Sequence, residues 1–401
     1  MAKTENYKKN VVWLGLTSLF TDISSEMIMS LLPLFLTDLG ASRTMVGFIE
    51  GFAEATSSVF KVVSGWISDR LQARKGLVVV GYTLSTILKP LIAIANTWYQ
   101  VLAVRFFDRI GKGVRNAPRD ALVADSVEEK ERGAAFGLQR GMDTTGAVIG
   151  TLLASGLLLL FSRYTNMSIL TQYRTIFWFS IIPGILGVLT VLLFVKDVAK
   201  DKFEKKDLKF TWQDFDSGFK AFLLVSFVFE FSNFSYAIFI LRAKDLELFI
   251  PLVPIIYLLY NLVYAALAQP LGRMADKVGK KPILFAGYLL SALMCLGFAF
   301  ANHPLYAWLL FAVYGICMAI TQTIPRAILA DLVAPKVRGT AYGIYYTLIG
   351  LVALPTSALA GFLWDRFSAE LAFSYGAALA GAAAILVLLL IPGRVKLTKQ
   401  P

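Results

Sequence analysis

Apolar runs of about twenty residues recur from one end of this chain to the other, each long enough to cross a hydrocarbon core of about 30 Å as an α-helix. In such a core every backbone N–H and C=O must be bonded within the protein, and a helix does this inside one segment. The residues are 57% hydrophobic and only 16% charged, too few polar groups to clothe a soluble body of this length. The chain is therefore read as an all-α integral membrane protein.

Twelve spans fit the pattern, at residues 11–37, 46–69, 77–96, 98–125, 132–161, 172–195, 219–241, 250–272, 281–301, 304–331, 339–363 and 370–392. The first follows a short basic N-terminus, is too long for a signal-peptide core and has no small-residue cleavage site, so it is expected to be retained. With both termini on one side, the loops of that side carry 24 Lys and Arg; the opposite loops carry six: Arg43, Arg163, Arg174, Arg242, Lys244 and Arg366. The positive-inside rule then places both termini in the cytoplasm, in a plasma membrane of the bacterial inner-membrane kind. The same bias accounts for much of the net charge of +12, so no nucleic-acid partner is needed to explain it.

Several kinds of chemistry are disfavoured. Cys295 and Cys317 fall inside apolar spans and read as small packing residues, and His303 has no second His with which to hold a metal. Neither a metal nor a cofactor is expected. There is no H-E-x-x-H, no G-x-S-x-G and no Walker loop; Gly111-Lys112-Gly113 lacks the upstream glycine spacing and the Ser/Thr. The chain is thus not read as an enzyme. No soluble signalling domain accompanies the spans, which leaves a non-transporting membrane receptor as a remote alternative.

The chain is written twice. Pro118-Arg119 to Asp125, followed by Arg132-Gly133-Ala134-Ala135-Phe136-Gly137, returns as Pro325-Arg326 to Asp331, then Arg338-Gly339-Thr340-Ala341-Tyr342-Gly343. A second pair, Gly65 to Asp69-Arg70 after span 2 and Gly272 to Asp276-Lys277 after span 8, repeats at nearly the same offset. Residues 1–195 and 219–401 thus form two six-span halves, joined by the charged segment 196–218, which reads as a cytoplasmic linker. Internal duplication of this kind marks secondary transporters, whose substrate sites lie near the midplane between repeats.

These motifs resemble the major facilitator superfamily along essentially the whole chain. The second-half loop, with Gly272, Asp276, Lys277, Gly279, Lys280 and Lys281, is close to that family's signature. The first-half loop lacks the internal glycine and has one residue more. The resemblance implies two six-helix bundles around a central cavity, opened alternately to either side. It assigns cytoplasmic gating to Asp69 and Arg70 with Asp276 and Lys277 as the partner set; Arg74, Lys75, Lys280 and Lys281 either share that role or only fix topology. Arg119, Asp125 and Asp331, at the ends of the duplicated motif, join the gating set.

Span 4 is the most unusual segment. Arg105, Arg109, Lys112, Asn116 and Arg119 crowd one stripe of the helical wheel, with Asp108 and Arg115 near its edge. A charge at the bilayer centre costs at least about 2.5–3.5 kcal/mol on insertion scales, so the stripe must face protein or water. Arg105 and Arg119 lie near enough to the ends to snorkel, whereas Arg109 and Lys112 lie deep. Asp22 and Glu26 on span 1 offer counter-charges, and because the resemblance sets spans 1 and 4 together it implies the pairs Asp22 with Lys112 and Glu26 with Arg109. The alternative is a purely structural network.

Asp22, Glu26 and Glu54 are the proton-coupling candidates. Arg105, Arg109, Lys112, Arg140, Asp143, Glu230, Asn233, Gln322 and Arg326 are the candidates for lining a substrate cavity. The functional expectation is a monomeric secondary transporter of a small organic solute, anionic or zwitterionic by the cationic excess, driven by a proton gradient. The alternative within transport is multidrug or metabolite efflux, although span 5 lacks the Gly-Pro signature of drug antiporters.

Overall fold

The computed structural model describes residues 2–71, 74–128, 131–198, 215–333 and 338–391. Helices occupy all twelve expected spans. Nine helical stretches among the described residues are long and apolar enough to cross a membrane. The helices of spans 2, 4 and 7 fall outside that set, span 4 because of its charges and span 7 because a longer break divides it into helices of 14 and 10 residues.

Four spans are broken, where continuous helices were expected. Span 1 divides into α1 (Ala2–Met29) and α2 (Leu32–Asp38), the latter with Pro33 in its first turn, where a missing N–H is harmless. Spans 2 to 5 form α3 (Arg43–Leu71), α4 (Arg74–Ile94), α5 (Trp98–Asp125) and α6 (Arg132–Tyr164). Span 6 is α7 (Ile169–Phe179) and α8 (Ile181–Phe194), with Pro183 just past the kink. Span 7 is α9 (Ser217–Glu230) and α10 (Tyr236–Asp245), and the Ser235 hydroxyl accepts from the Ala237 N–H to start the second piece. Spans 8 and 9 are α11 (Val253–Val278) and α12 (Lys280–Phe300). Span 10 is α13 (Pro304–Thr321) and α14 (Ile324–Leu332), separated just before Pro325. The chain closes with α15 (Arg338–Arg366) and α16 (Ala369–Leu390).

Two compact units result. The first comprises Met1–Ala41, Phe52–Glu204 and Ile250–Ile255; the second comprises Ser42–Gly51, Lys205–Phe249 and Ile256–Pro401. Residues 199–214, most of the expected linker, lie outside the described residues. In the first unit α1 packs on α6 and α8, and α4 on α5; in the second, α9 packs on α15 and α16, and α12 on α13 and α16. The core of the second unit is strongly aromatic, with the Phe229 and Tyr288 rings stacked at 3.8 Å.

The repeat extends to individual contacts. Arg74 at the start of α4 pairs with Asp125 at the end of α5, and Lys280 pairs with Asp331 at 2.5 Å. Lys75 donates to the Leu192 carbonyl at 2.9 Å in the last turn of α8, and Lys281 to the Leu388 carbonyl at 2.8 Å in the last turn of α16. Each of these four basic residues therefore holds a defined partner. Elsewhere in the second unit, Asp365 caps the start of α3, accepting from the Arg43 and Thr44 N–H groups at 3.2 and 2.8 Å. Arg43 itself pairs with Asp245 at 2.8 Å and lies over the Trp364 ring.

Candidate functional site

The charged stripe of α5 is set by how closely α5 approaches α4. A Cβ on Gly81 would lie 2.6 Å from the Gly111 carbonyl oxygen, so glycine is required for the two backbones to touch there. The contact places Arg115 over the Tyr82 ring, with its guanidinium 4.5 Å from the ring centre, and lets it donate to the Ser85 hydroxyl at 2.7 Å. Aromatic faces stabilise a desolvated guanidinium by about 2 kcal/mol.

Neither end of the stripe snorkels. Arg105 is fully buried and stands 3.5 Å from the Asp108 carboxylate, one turn along. Arg119 turns inward, donating to the Ser18 hydroxyl of α1 at 2.9 Å and to Asp120 at 2.9 and 3.1 Å. Both ends are thus held by partners within the protein.

The middle of the stripe differs. Arg109 is 9% exposed; one terminal nitrogen rests 3.7 Å from the Met29 sulfur, and its Nε has no partner. Half-buried Lys112 makes no hydrogen bond or ion pair among the described residues. The expected pairs of Asp22 with Lys112 and of Glu26 with Arg109 do not form. The wheel put the residues of each helix on one stripe and the family resemblance set the two helices together, but neither could fix the height and tilt at which α1 passes α5. Arg109 and Lys112 are left as cations without a carboxylate in ion-pair range among the described residues.

Lys89 of α4 is a further buried cation that the cavity candidates omitted. It is 3% exposed and donates to the Ser24 hydroxyl of α1 at 2.9 Å. A lone lysine in an otherwise apolar run was the visible signal. Of the other candidates in the first unit, Glu54 and Arg140 are exposed. Half-buried Asp143 lies on the α1-facing side of α6.

In the second unit Glu230 sits at the end of α9, 7% exposed, where the chain leaves helix for five residues. The Asn233 amide donates to its carboxylate at 3.0 Å, and the Thr356 hydroxyl to its carbonyl at 3.1 Å. A small crevice beneath this break is lined by Ser232, Asn233, Tyr314, Cys317 and Thr321, with Cys295 alongside. Both cysteines are free and buried. Gln322 is half-buried at the break between α13 and α14, while Arg326 is exposed and lies over the Tyr346 ring at 5.7 Å. The aromatics of span 7 mostly pack: Phe229 against Tyr288, and Phe234 against Phe373 and Tyr375.

Of the gating candidates, Asp125 and Asp331 are paired as described above. Asp276 and Lys277 are exposed and make no ion pair among the described residues. The side chains of Asp69 and Arg70 lie outside the described ones.

Comparison with known proteins follows the same lines. A family model described as Major Facilitator Superfamily matches residues 14–257 and again 221–401. An uncharacterized MFS-type transporter of Methanocaldococcus jannaschii is 37% identical, covering 95% of this chain and 94% of that one. The multi-drug resistance efflux pump PmrA of Streptococcus pneumoniae is 24% identical over 78% of each chain. The cis,cis-muconate transport protein of Acinetobacter baylyi is 24% identical over 84% of this chain and 82% of its own. Among solved structures, the nucleoside transporter NupG superposes with a TM-score of 0.72 at 12% identity, covering 95% of this chain and 98% of that one. At that identity the likeness is one of fold.

Proposed function

The chain belongs to the major facilitator superfamily and is a multi-pass membrane transporter, and on that premise we propose that it moves a small organic anion or zwitterion by alternating access, coupled to protons. One observation carries the anionic preference: Arg109 and Lys112 have no carboxylate in ion-pair range among the described residues. A buried charge without its counter-ion costs several kcal/mol, and an anionic cargo would supply that counter-ion. A planar guanidinium also offers a carboxylate two parallel donors, which fixes orientation as well as charge. The relative named a cis,cis-muconate transport protein agrees with an organic anion.

Proton coupling is supported by Asp22 and Glu26, carboxylates set within the same helical interior as the cations. Loading a proton onto a carboxylate beside a cationic stripe changes the stripe's hold on an anion, which is the linkage a coupled carrier requires. The uneven Lys and Arg distribution supports a plasma-membrane location with both termini in the cytoplasm, and the protein is proposed to work as a monomer.

The relative named a multi-drug resistance efflux pump, together with the aromatic interior of the second unit, favours a second reading as an efflux antiporter for amphiphiles. Proteoliposomes with an imposed pH gradient separate the two. Uptake or efflux of small carboxylates, driven by the gradient and lost in Arg109→Gln, supports the anion reading. Preference for neutral or cationic amphiphiles with no loss in Arg109→Gln rejects it in favour of efflux.

A further inference from the structure

On α6, Gln139, Asp143, Gly146 and Gly150 recur at spacings of four, three and four, one face of the helix. That face lies on α1 at backbone contact. A Cβ on Gly146 would stand 2.5 Å from the Leu19 carbonyl oxygen and 3.1 Å from the Asp22 Cβ, and one on Gly150 would stand 2.4 Å from the Ile23 carbonyl oxygen. Asp22 is thereby brought beside the turn that carries Asp143.

Three polar side chains in this seam lack partners among the described residues. Gln139 is 3% exposed, and neither its amide nitrogen nor its oxygen is bonded. One carboxylate oxygen of Asp143 is buried without a partner, and Asp22 makes neither a hydrogen bond nor an ion pair. Folded proteins bond nearly all buried polar groups, so the unbonded Gln139 amide and Asp143 oxygen one turn apart on α6, beside half-buried Asp22, indicate something that binds there. The charged and titratable groups facing the seam are Glu26 on α1, Tyr82 and Lys89 on α4, and Lys112, Arg115 and Arg119 on α5. Three of the four cations are engaged elsewhere, Lys89 by Ser24, Arg115 by Ser85, and Arg119 by Ser18 and Asp120, and Lys112 forms no ion pair with Asp22. Of the other helices packed on α1, α8 carries no titratable side chain, α2 carries Asp38 at its far end, and in α7 Tyr173 packs on Phe35 while Arg174 is bonded to Ala95 and Asn96.

We propose that Asp22, Asp143 and Gln139 form a binding site for one monovalent cation. Two carboxylates and an amide carbonyl present only oxygen, the donor of hard cations, so the ligand is a proton shared by the carboxylates or a sodium ion held among the three groups. Because α1 and α6 are in backbone contact here, cation occupancy acts directly on the seam between them. The site deepens the coupled-transport reading: it identifies where the driving ion is held and gives Asp143 and Gln139 roles in holding it.

The test uses the purified full-length protein in detergent with no cargo. Infrared difference spectra of the carboxylic-acid C=O stretch over a pH titration report a proton; a rise in melting temperature with sodium chloride over choline chloride reports sodium. Wild type is expected to give one of these two signals. Asp22→Asn and Asp143→Asn should each abolish it, with the double variant losing no more than either single one, because one cation needs both carboxylates. Asp143→Glu should keep the signal, and Gln139→Leu should weaken the cation affinity about tenfold, the usual reach of one buried hydrogen bond. A signal that survives in either asparagine variant, or the lack of both signals in wild type, overturns the proposal. Since no cargo is present, the site can fail while anion transport stands, and anion transport can fail while the site stands.

Discussion

The two units share their helix pairings and the contacts at corresponding helix ends, yet their interiors are chemically opposite. Arg74 with Asp125 and Lys75 with the α8 terminus are matched by Lys280 with Asp331 and Lys281 with the α16 terminus. In the register that aligns Pro118 with Pro325, however, Arg105, Arg109, Lys112 and Arg115 face Ala312, Ile316, Ala319 and Gln322. One hairpin earlier, Tyr82 and Ser85 are kept as Tyr288 and Ser291, while Lys89 becomes Cys295. The second unit builds the same bundle with none of these cations. The charged stripe is therefore not something the architecture demands; partners within the unit hold Arg105, Arg115 and Arg119, and the proposed cargo would offset Arg109 and Lys112.

The sharpest way to break this comparison is to alter the stripe and its mirror position in parallel. Arg109→Gln should lower kcat/KM for the anionic cargo by about tenfold to a hundredfold, the range for losing a hydrogen-bonded charge contact. Ile316→Leu, at the mirrored position, should leave transport within about twofold, as a near volume-conserving change does. Equal losses in reconstituted transport would mean that both interiors contribute alike and that the stripe has no special role.

A second contrast lies in the shared contacts themselves. The Arg74 and Asp125 side chains are 11% and 6% exposed, whereas Lys280 and Asp331 are 22% and 40% exposed. Removing one partner of a buried pair costs about 3–5 kcal/mol because the other charge is stranded. Pairs open to solvent contribute about 0.2–1 kcal/mol. Asp125→Asn should therefore lower the thermal midpoint in detergent well below that of Asp331→Asn. Matching midpoints would show that burial does not distinguish the two pairs.

The glycines shared by the two halves give a smaller and more local contrast. A Cβ on Gly81 meets the backbone carbonyl of Gly111 at 2.6 Å, whereas one on its counterpart Gly287 meets the Ile320 side chain at 2.4 Å. Backbone cannot yield without moving a helix, whereas at Gly287 the Ile320 Cγ2 can rotate away and only its Cβ, at 2.9 Å, needs a small shift. Gly81→Ala should cost about 1–3 kcal/mol and Gly287→Ala less, read as midpoints of chemical denaturation. The reverse order would place the rigid interface in the second unit.

Much of this was legible in the chain and some was not, for identifiable reasons. Span positions and the duplicated motif follow from local sequence, since apolar length and loop chemistry need no knowledge of neighbours. Helix breaks with a following proline, as before Pro325, carry a local signal; the one after Glu230 carries only Ser and Asn, which also occur within intact helices. Partnerships were the hardest to read. The wheel correctly gathered Arg105, Arg109, Lys112 and Arg119 on one side, but their partners depend on how α1, α4 and α6 lie against α5. Asp22 was thus assigned to Lys112, although close packing at Gly146 puts it against α6. Gln139 gave no sequence signal, because only its burial without partners makes it notable.

The smallest effect tests whether the helix-end contacts are symmetric in energy as well as in geometry. Lys75 and Lys281 each place an ammonium on a carbonyl in the last turn of a helix, at 2.9 and 2.8 Å. A cation at a helix C-terminus stabilises by about 0.3–1 kcal/mol, less at high salt, because it meets the partial negative charge of unbonded carbonyls. Lys75→Ala and Lys281→Ala should therefore lower the midpoint by similar small amounts, and the double variant by their sum, since the two contacts share no partner. If Lys75→Ala costs several times more than Lys281→Ala, the lysine in the charged unit is coupled to the neighbouring Arg74–Asp125 pair. The specialisation of that unit would then reach past its interior into contacts whose geometry the two halves still share.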